Sequence, residues 1–143
     1  MVGLPELDDN ERIDTAYEGD IRVVEVERED DINLYRFEAP GHKYKNYDLG
    51  PEFENPHAAR LYAAVYVVCG FREEKTGRRG IPEAVVKAGR EEVIAYQRCH
   101  PGKDADWLAH KHDIDRQRVY EYTSRVKSRA ADKRDLITTP ENE

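Results

Sequence analysis

The sequence predicts an α+β protein with a small N-terminal antiparallel β element, a central buried helix and three C-terminal helices. Three observations support this class. Apolar and charged residues alternate between residues 20 and 39, as in half-buried strands. A nearly continuous apolar segment follows at 55–71, and from residue 82 onward apolar residues recur at helical spacing. The length of 143 residues fits one domain, or one domain with a small appendage.

The β element is predicted within the acidic region 1–54. Apolar residues alternate with charges in 20–30, and an acidic turn separates this stretch from a second one at 32–39. Together they favour a β-hairpin, extended to a meander if the candidate third strand at 42–50 forms. The polar, acidic residues 1–14 are expected to form a loose arm.

The central helices are predicted within 55–89. Asn55 is a favourable N-cap and Pro56 suits the first helical position. The segment 55–71 is apolar on nearly all sides, so this helix is expected to be buried in the core. A second helix is expected from Pro82 to Gly89, with glycine as the stop signal.

Three helices joined by short turns are predicted in 90–135, before a frayed tail at 136–143. They comprise residues 90–99, 103–112 and 115–130. Too few residues follow 135 for a β-hairpin wing, so a C-terminal wing is not expected.

The spacing of residues 108–122 is specific. The first helix contains small Ala109, a tight turn contains Asp113, and the apolar Ile114 follows at once. Asp115 can cap the next helix, whose inward-facing residues are Val119 and Tyr122. Two helices that cross closely need a small side chain at the crossing and apolar anchors that hold the angle.

This pattern resembles the helix-turn-helix of DNA-binding transcriptional regulators, in its trihelical form, over residues 90–130. The sequence departs from the family at Asp113, where glycine is usual because the turn commonly needs a left-handed backbone. It also departs at His112, where the family often has an apolar residue. The resemblance implies that helix 115–130 lies in the major groove of DNA.

A helical wheel divides 115–130 into an apolar stripe and a polar face. The stripe contains Val119, Tyr122, Val126 and Ala130, and the polar face is flanked by cations that one acid within the helix, Glu121, opposes. The candidate DNA-contacting residues are Arg116, Gln117, Arg118, Tyr120, Glu121, Ser124, Arg125, Lys127 and Arg129. Lys75, Arg78 and Arg79 are candidate auxiliary phosphate contacts.

The charge of the chain is unevenly distributed. The net charge is −7 overall, −8 over residues 1–85, +4 over 86–134 and −3 over 135–143. This segregation indicates an acidic body with a cationic working surface. Acids exceed bases 30 to 23 and arginine exceeds lysine 15 to 8, a composition similar to that of proteins from salt-adapted archaea, their plasmids or viruses.

The sequence therefore predicts sequence-specific binding of double-stranded DNA, most simply as a transcriptional regulator that binds two half-sites as a homodimer. The β element and helix 55–71 are the candidate dimer surface. Alternatives are a protein–protein interaction module on a trihelical scaffold, or an accessory factor in recombination or plasmid maintenance. A cytoplasmic location without membrane partners is expected, since no signal peptide or spanning segment is present.

No enzymatic activity, catalytic residue, metal or cofactor is predicted. The sequence has no nucleophile motif, glycine-rich phosphate loop or zinc-protease motif. Cys99, His100, His110 and His112 match no familiar zinc spacing. Cys69 and Cys99 are expected to be buried or half-buried thiols, although a disulfide between them stays open at this point.

Overall fold

The described residues of the N-terminal part form an antiparallel sheet of four strands in the order β1-β2-β3-β4. A computed structural model describes residues 6–39, 51–71 and 80–133. The strands are β1 Glu11–Tyr17, β2 Ile21–Val26, β3 Leu34–Glu38 and β4 Glu52–Phe53. Strands β2 and β3 pair with Val23 opposite Phe37, which confirms the predicted hairpin.

Strand β1 differs from the expectation of a loose arm at 1–14, because the structure places a strand from Glu11 onward. The register of β1 against β2 shifts between Ile13 and Thr15. Such a bulge interrupts the alternation on which strand prediction depends, and Thr15, Ala16 and Tyr17 are buried in succession. The candidate strand at 42–50 lies outside the described residues, and the short strand β4 at Glu52–Phe53 was not predicted.

Five helices follow the sheet within residues 51–71 and 80–133, and the mixed α+β class is confirmed. They are α1 Pro56–Cys69, α2 Glu83–Ala88, α3 Arg90–Arg98, α4 Ala105–His112 and α5 Arg116–Ala131. The side chain of Asn55 accepts hydrogen bonds from the backbone N–H groups of His57 and Ala58, at 2.8 and 3.4 Å. Pro56 is the first helical residue, so the predicted start of α1 is confirmed. None of the helices in the described part of the chain is long and apolar enough to cross a membrane.

Helix α1 forms the centre of the core. It packs against β2 and β3 on one side and against α3 and α5 on the other. The ring of Tyr62, which is 1% exposed, contacts Phe37 and Phe71 at centroid distances of 5.1 and 5.2 Å in edge-to-face geometry. The prediction of a buried central helix is confirmed. Because most of α1 is buried, little of this helix is accessible to a second copy of the chain as a dimer surface.

A network of buried charges lies on the sheet. Arg36 binds Glu38 at 2.7 Å and Glu11 at 3.0 Å, and Arg22 binds Glu38 at 2.6 Å. The side chain of Glu38 is only 2% exposed, and that of Arg36 is 10% exposed. Ions removed from water are tolerated only when each has partners of good geometry, so this network restricts how the three strands can pair.

Candidate nucleic-acid interface

Helices α3, α4 and α5 share a small apolar core. Ile94 of α3, Ala105 and Leu108 of α4, and Val119 of α5 are at most 3% exposed. Three half-buried residues pack against them, namely Ala109, Ile114 and Tyr122. All three of these residues are among those that the sequence assigned to the helix crossing. The relative orientation of α4 and α5 is therefore fixed by buried contacts, not by the turn alone.

The turn between α4 and α5 is tight. Asp113 ends α4 in the left-handed conformation, with φ 55° and ψ 53°. The N–H of Ile114 donates to the carbonyl of Ala109 at 3.0 Å, which satisfies one of the last carbonyls of α4. Aspartate thus adopts the backbone that glycine would adopt most easily. Asp115 occupies the N-cap of α5 as predicted, but its side chain makes no capping hydrogen bond.

The buried stripe of α5 differs by one residue from the predicted one. Val119, Thr123, Val126 and Ala130 are buried, whereas Tyr122 is half-buried. Thr123 is 8% exposed, and its hydroxyl donates to the carbonyl of Tyr120 at 3.1 Å. This local hydrogen bond satisfies the hydroxyl group. Thr123 can therefore be buried, where the apolar pattern alone predicted burial of Tyr122.

Helix α5 belongs to two cores at once. Val119 packs with α3 and α4, while Val126 and Ala130 join the main core around α1. The three C-terminal helices therefore do not form a separate lobe. Because α5 is anchored at both ends, its exposed face has a fixed position relative to the sheet.

The first two turns of α5 present polar side chains to solvent. Arg116, Gln117, Arg118 and Tyr120 are exposed, Glu121 is half-buried, and Ser124 one turn later is exposed. Tyr120 is 47% exposed, which is high for an aromatic residue. The structure therefore brings the predicted base-contacting residues together on one accessible face. Lys75, Arg78 and Arg79 lie outside the described residues.

Arg125 and Arg129, at the C-terminal end of α5, are engaged with α3. Each donates to Glu91, at 2.7 and 3.1 Å, and Arg129 also binds Glu92. A count of charges within α5 alone gives five cations and one acid, and it does not include these carboxylates of α3. Both arginines therefore hold α5 against α3, and their charge is largely compensated in the fold.

Arg116 and Arg118, at the N-terminal end of α5, form looser contacts. Arg116 lies 3.5 Å from Asp106 of α4 and also contacts Tyr120, with Cζ 5.9 Å from the ring centroid. Arg118 lies 3.7 Å from Glu121. More than half of each arginine side chain is exposed. Exposed ion pairs of this length contribute about 0–1 kcal/mol, so both guanidinium groups can turn to another anion at small cost.

The contact of α3 with α5 is expected to weaken in acid. The hydrogen bond from Arg125 holds the pKa of Glu91 below its ordinary value of 4.5. A carboxylate with a lowered folded pKa stabilises the fold above its unfolded pKa, and this contribution is lost as the pH falls below about 4.5 through the folded pKa. Urea unfolding between about pH 6 and pH 3 should show this loss, and Glu91→Gln should show a shallower pH dependence than the wild type. Identical pH dependence in both proteins would contradict the assignment.

A groove separates the C-terminal half of α5 from the sheet. Its volume is about 900 Å³, and Ser124, Lys127 and Ser128 of α5 line one wall. Arg12 and Arg60 line the opposite side, where Arg12 binds Glu25 at 2.7 Å and Arg60 binds Asp14 through two bonds of 2.8 Å. The polar face of α5 is therefore open at its start and flanked by the sheet further along.

Cys69, Cys99 and His112 have ordinary structural environments. Both cysteines are free thiols, and burial raises the pKa of Cys69 to about 11. The thiol of Cys99 donates to the carbonyl of Ala95 at 3.3 Å, and His112 Nε2 lies 2.7 Å from the side-chain oxygen of Gln97. Within residues 6–39, 51–71 and 80–133, no group of three or more potential ligands could hold a metal ion.

Comparison with known proteins gives no family assignment. No protein-family model, no curated protein and no solved structure matches the chain. The function is therefore inferred from the geometry of α3, α4 and α5 and from the charges on their surface.

Proposed function

We propose that the protein binds double-stranded DNA in a sequence-specific manner, as a transcriptional regulator, with the first turns of α5 in the major groove. One observation supports this most strongly. A left-handed turn and a shared apolar core join α4 to α5, and the start of α5 is left exposed. These features are typical of a helix-turn-helix. The exposed residues there are of types that bind base edges and phosphates.

Each residue has a role that follows from its chemistry. Gln117 can bind adenine through two hydrogen bonds, Arg116 can bind guanine, and Glu121 can accept from cytosine. Tyr120 and Ser124 are available for further polar contacts, and Arg118 and Lys127 for phosphates. Arg125 and Arg129 remain in the interface only as residues that position α5, since both bind α3.

The protein is further proposed to act as a homodimer in the cytoplasm. A single helix-turn-helix makes few base contacts, and two half-sites about one helical turn of DNA apart give the affinity that regulators need. Since α1 is buried, the sheet is the better candidate for the dimer surface. Analytical ultracentrifugation and the spacing of protected half-sites in a footprint test this assignment together.

Arg118→Ala is expected to weaken DNA binding by about tenfold, because an exposed guanidinium with one loose partner is free to contact DNA. Arg125→Ala alone is expected to have a smaller effect on affinity, because this side chain is held by Glu91. Fluorescence anisotropy with duplexes selected from genomic DNA measures both, and the double variant should bind no better than Arg118→Ala. If the double variant binds DNA as well as the wild type, α5 does not enter the groove.

A protein–protein interaction module is the second candidate function. It is favoured by the ion pairs, since four of the five cations of α5 lie within 4.0 Å of a carboxylate. A wild-type protein that binds neither specific nor non-specific duplexes at low salt would support this alternative. Footprinting on genomic DNA separates a regulator, which binds at promoters, from an accessory factor that binds at attachment sites or origins.

A further inference from the structure

A small hollow lies where the start of α1, the end of α3 and the middle of α5 meet. Its volume is about 260 Å³. The polar side chains that line it are Asn55, His57, Arg98, Tyr120, Thr123 and Lys127. Tyr120 and Lys127 are the members of this set that the sequence predicted to contact DNA. Asn55, His57 and Arg98 come from distant parts of the chain, and Thr123 is buried within α5.

The charge in this hollow is unusual for the molecule. Arg98 and Lys127 both line it, and neither forms an ion pair with any residue in the described part of the chain. The lining contains no carboxylate, although the whole chain has a net charge of −7. The other cations of α5 all have acidic neighbours. Two uncompensated cations from two different helices, in one concave site, attract an anion.

The backbone N–H groups at the start of α1 are not the donors that would bind an anion in this hollow. The N–H groups of His57 and Ala58 already donate to the side chain of Asn55. The available donors are therefore the side chains of Arg98, Lys127 and His57, together with the hydroxyl of Tyr120. Arginine and lysine at the edge of a concave site are typical ligands of phosphate.

We propose that this hollow binds a phosphate group of the DNA backbone, next to the major groove that α5 enters. The inference rests on the proposed function. Tyr120 belongs both to the hollow and to the exposed face of α5, so a strand along this flank of α5 brings a phosphate to Arg98 and Lys127. His57 and Lys127 also line the groove between α5 and the sheet, which gives the strand a polar path beyond the hollow.

Such a contact fixes the position of α5 on the duplex without reading sequence. Loss of this contact is therefore expected to weaken the affinity for specific and for non-specific DNA by nearly the same factor. The contact also predicts a change in salt dependence, because each phosphate that is neutralised releases counterions. These two properties distinguish the hollow from the base-contacting residues at the start of α5.

The test compares the full chain with the double variant Arg98→Gln, Lys127→Gln. The control is Arg28→Gln, Lys87→Gln, which removes the same two charges from residues that line none of these cavities. Anisotropy is measured with a specific and a non-specific duplex over a range of salt concentrations. The hollow variant is expected to lose about tenfold in affinity for both duplexes and about one unit of salt slope, while the control keeps its slope.

Each other outcome is decisive. If the wild type binds DNA and the hollow variant keeps its affinity and salt slope, the phosphate site is wrong and the proposed function stands. If the wild type binds no DNA, both the phosphate site and the proposed function are wrong.

A titration with inorganic phosphate, followed by the amide resonances of Arg98 and Lys127, distinguishes a free phosphate from a phosphate of the DNA backbone. If the wild type binds inorganic phosphate here and the hollow variant keeps its salt slope for DNA, the hollow binds a free phosphate. That result would overturn the contact with the DNA backbone. If Arg98→Gln impairs folding, judged by urea unfolding, Lys127→Gln alone should still lower the affinity for both duplexes.

Discussion

Replacing Glu38 with glutamine is expected to lower the free energy of unfolding by about 3–5 kcal/mol. Glu38 accepts from Arg22 through one carboxylate oxygen and from Arg36 through the other. Glutamine has the same shape but only one acceptor oxygen, so its NH₂ group would face the donors of one arginine. Arg22 and Arg36, both largely buried, would then lose the negative charge that binds both of them. Arg36 would keep Glu11 at 3.0 Å, but the cost of keeping the two guanidinium groups out of water would no longer be fully offset.

The matched control is Glu121→Gln, which makes the same chemical change in an exposed ion pair with Arg118 at 3.7 Å. Its expected effect is within about 0.5 kcal/mol. Urea unfolding at neutral pH measures both variants. A loss below about 1 kcal/mol for Glu38→Gln would show that the network on the sheet contributes no more than a surface ion pair.

The elements that the sequence predicted correctly are those whose determinants are local. Asn55 and Pro56 mark the start of α1 because a helix cap depends on residues that are adjacent in the chain. The turn at Asp113 could likewise be placed from the small residue before it and the apolar residue after it. The pairing of β2 with β3 followed from alternation and a short connection.

The features that could not be predicted depend on residues far apart in the sequence. A bulge near Asp14 hid β1, and this residue is bound by Arg60, which is 46 positions away. Arg125 is paired with Glu91, which lies 34 positions earlier. A helical wheel describes one helix without its neighbours, so it could not show that part of the cationic flank is neutralised by α3.

The same limitation affected the candidate site. The wheel correctly grouped Gln117, Tyr120 and Ser124 on one face, because their angular positions are fixed by helical geometry. It could not show that Ser124 lies beside the sheet, or that Arg98 lies near Lys127. The surface that we propose for DNA binding is therefore shorter along α5 than the sequence predicted, and it extends sideways towards α1 and α3.

Replacing Leu108 with alanine is expected to lower the free energy of unfolding by about 2–5 kcal/mol. Leu108 is fully buried, and its contacts with Ile94 and Val119 join α4 to α3 and α5. The substitution removes apolar area and leaves a cavity where the helices cross. Val86→Ala is the control, since Val86 is 53% exposed on α2 and its truncation should cost no more than about 0.5 kcal/mol.

The way in which Leu108→Ala unfolds tests the role of α5. Because α5 packs in both apolar cores, the loss at the crossing should be transmitted to α1 and the sheet. A single urea transition is then expected, with amide protection falling by the same free energy in β2 and in α5. If α4 and α5 lose protection while β2 keeps it, the C-terminal helices unfold as a separate unit. The proposed DNA binding should fall with the fraction of molecules in which α4 and α5 remain folded, since an unsupported α5 cannot hold Arg116 and Gln117 at fixed positions.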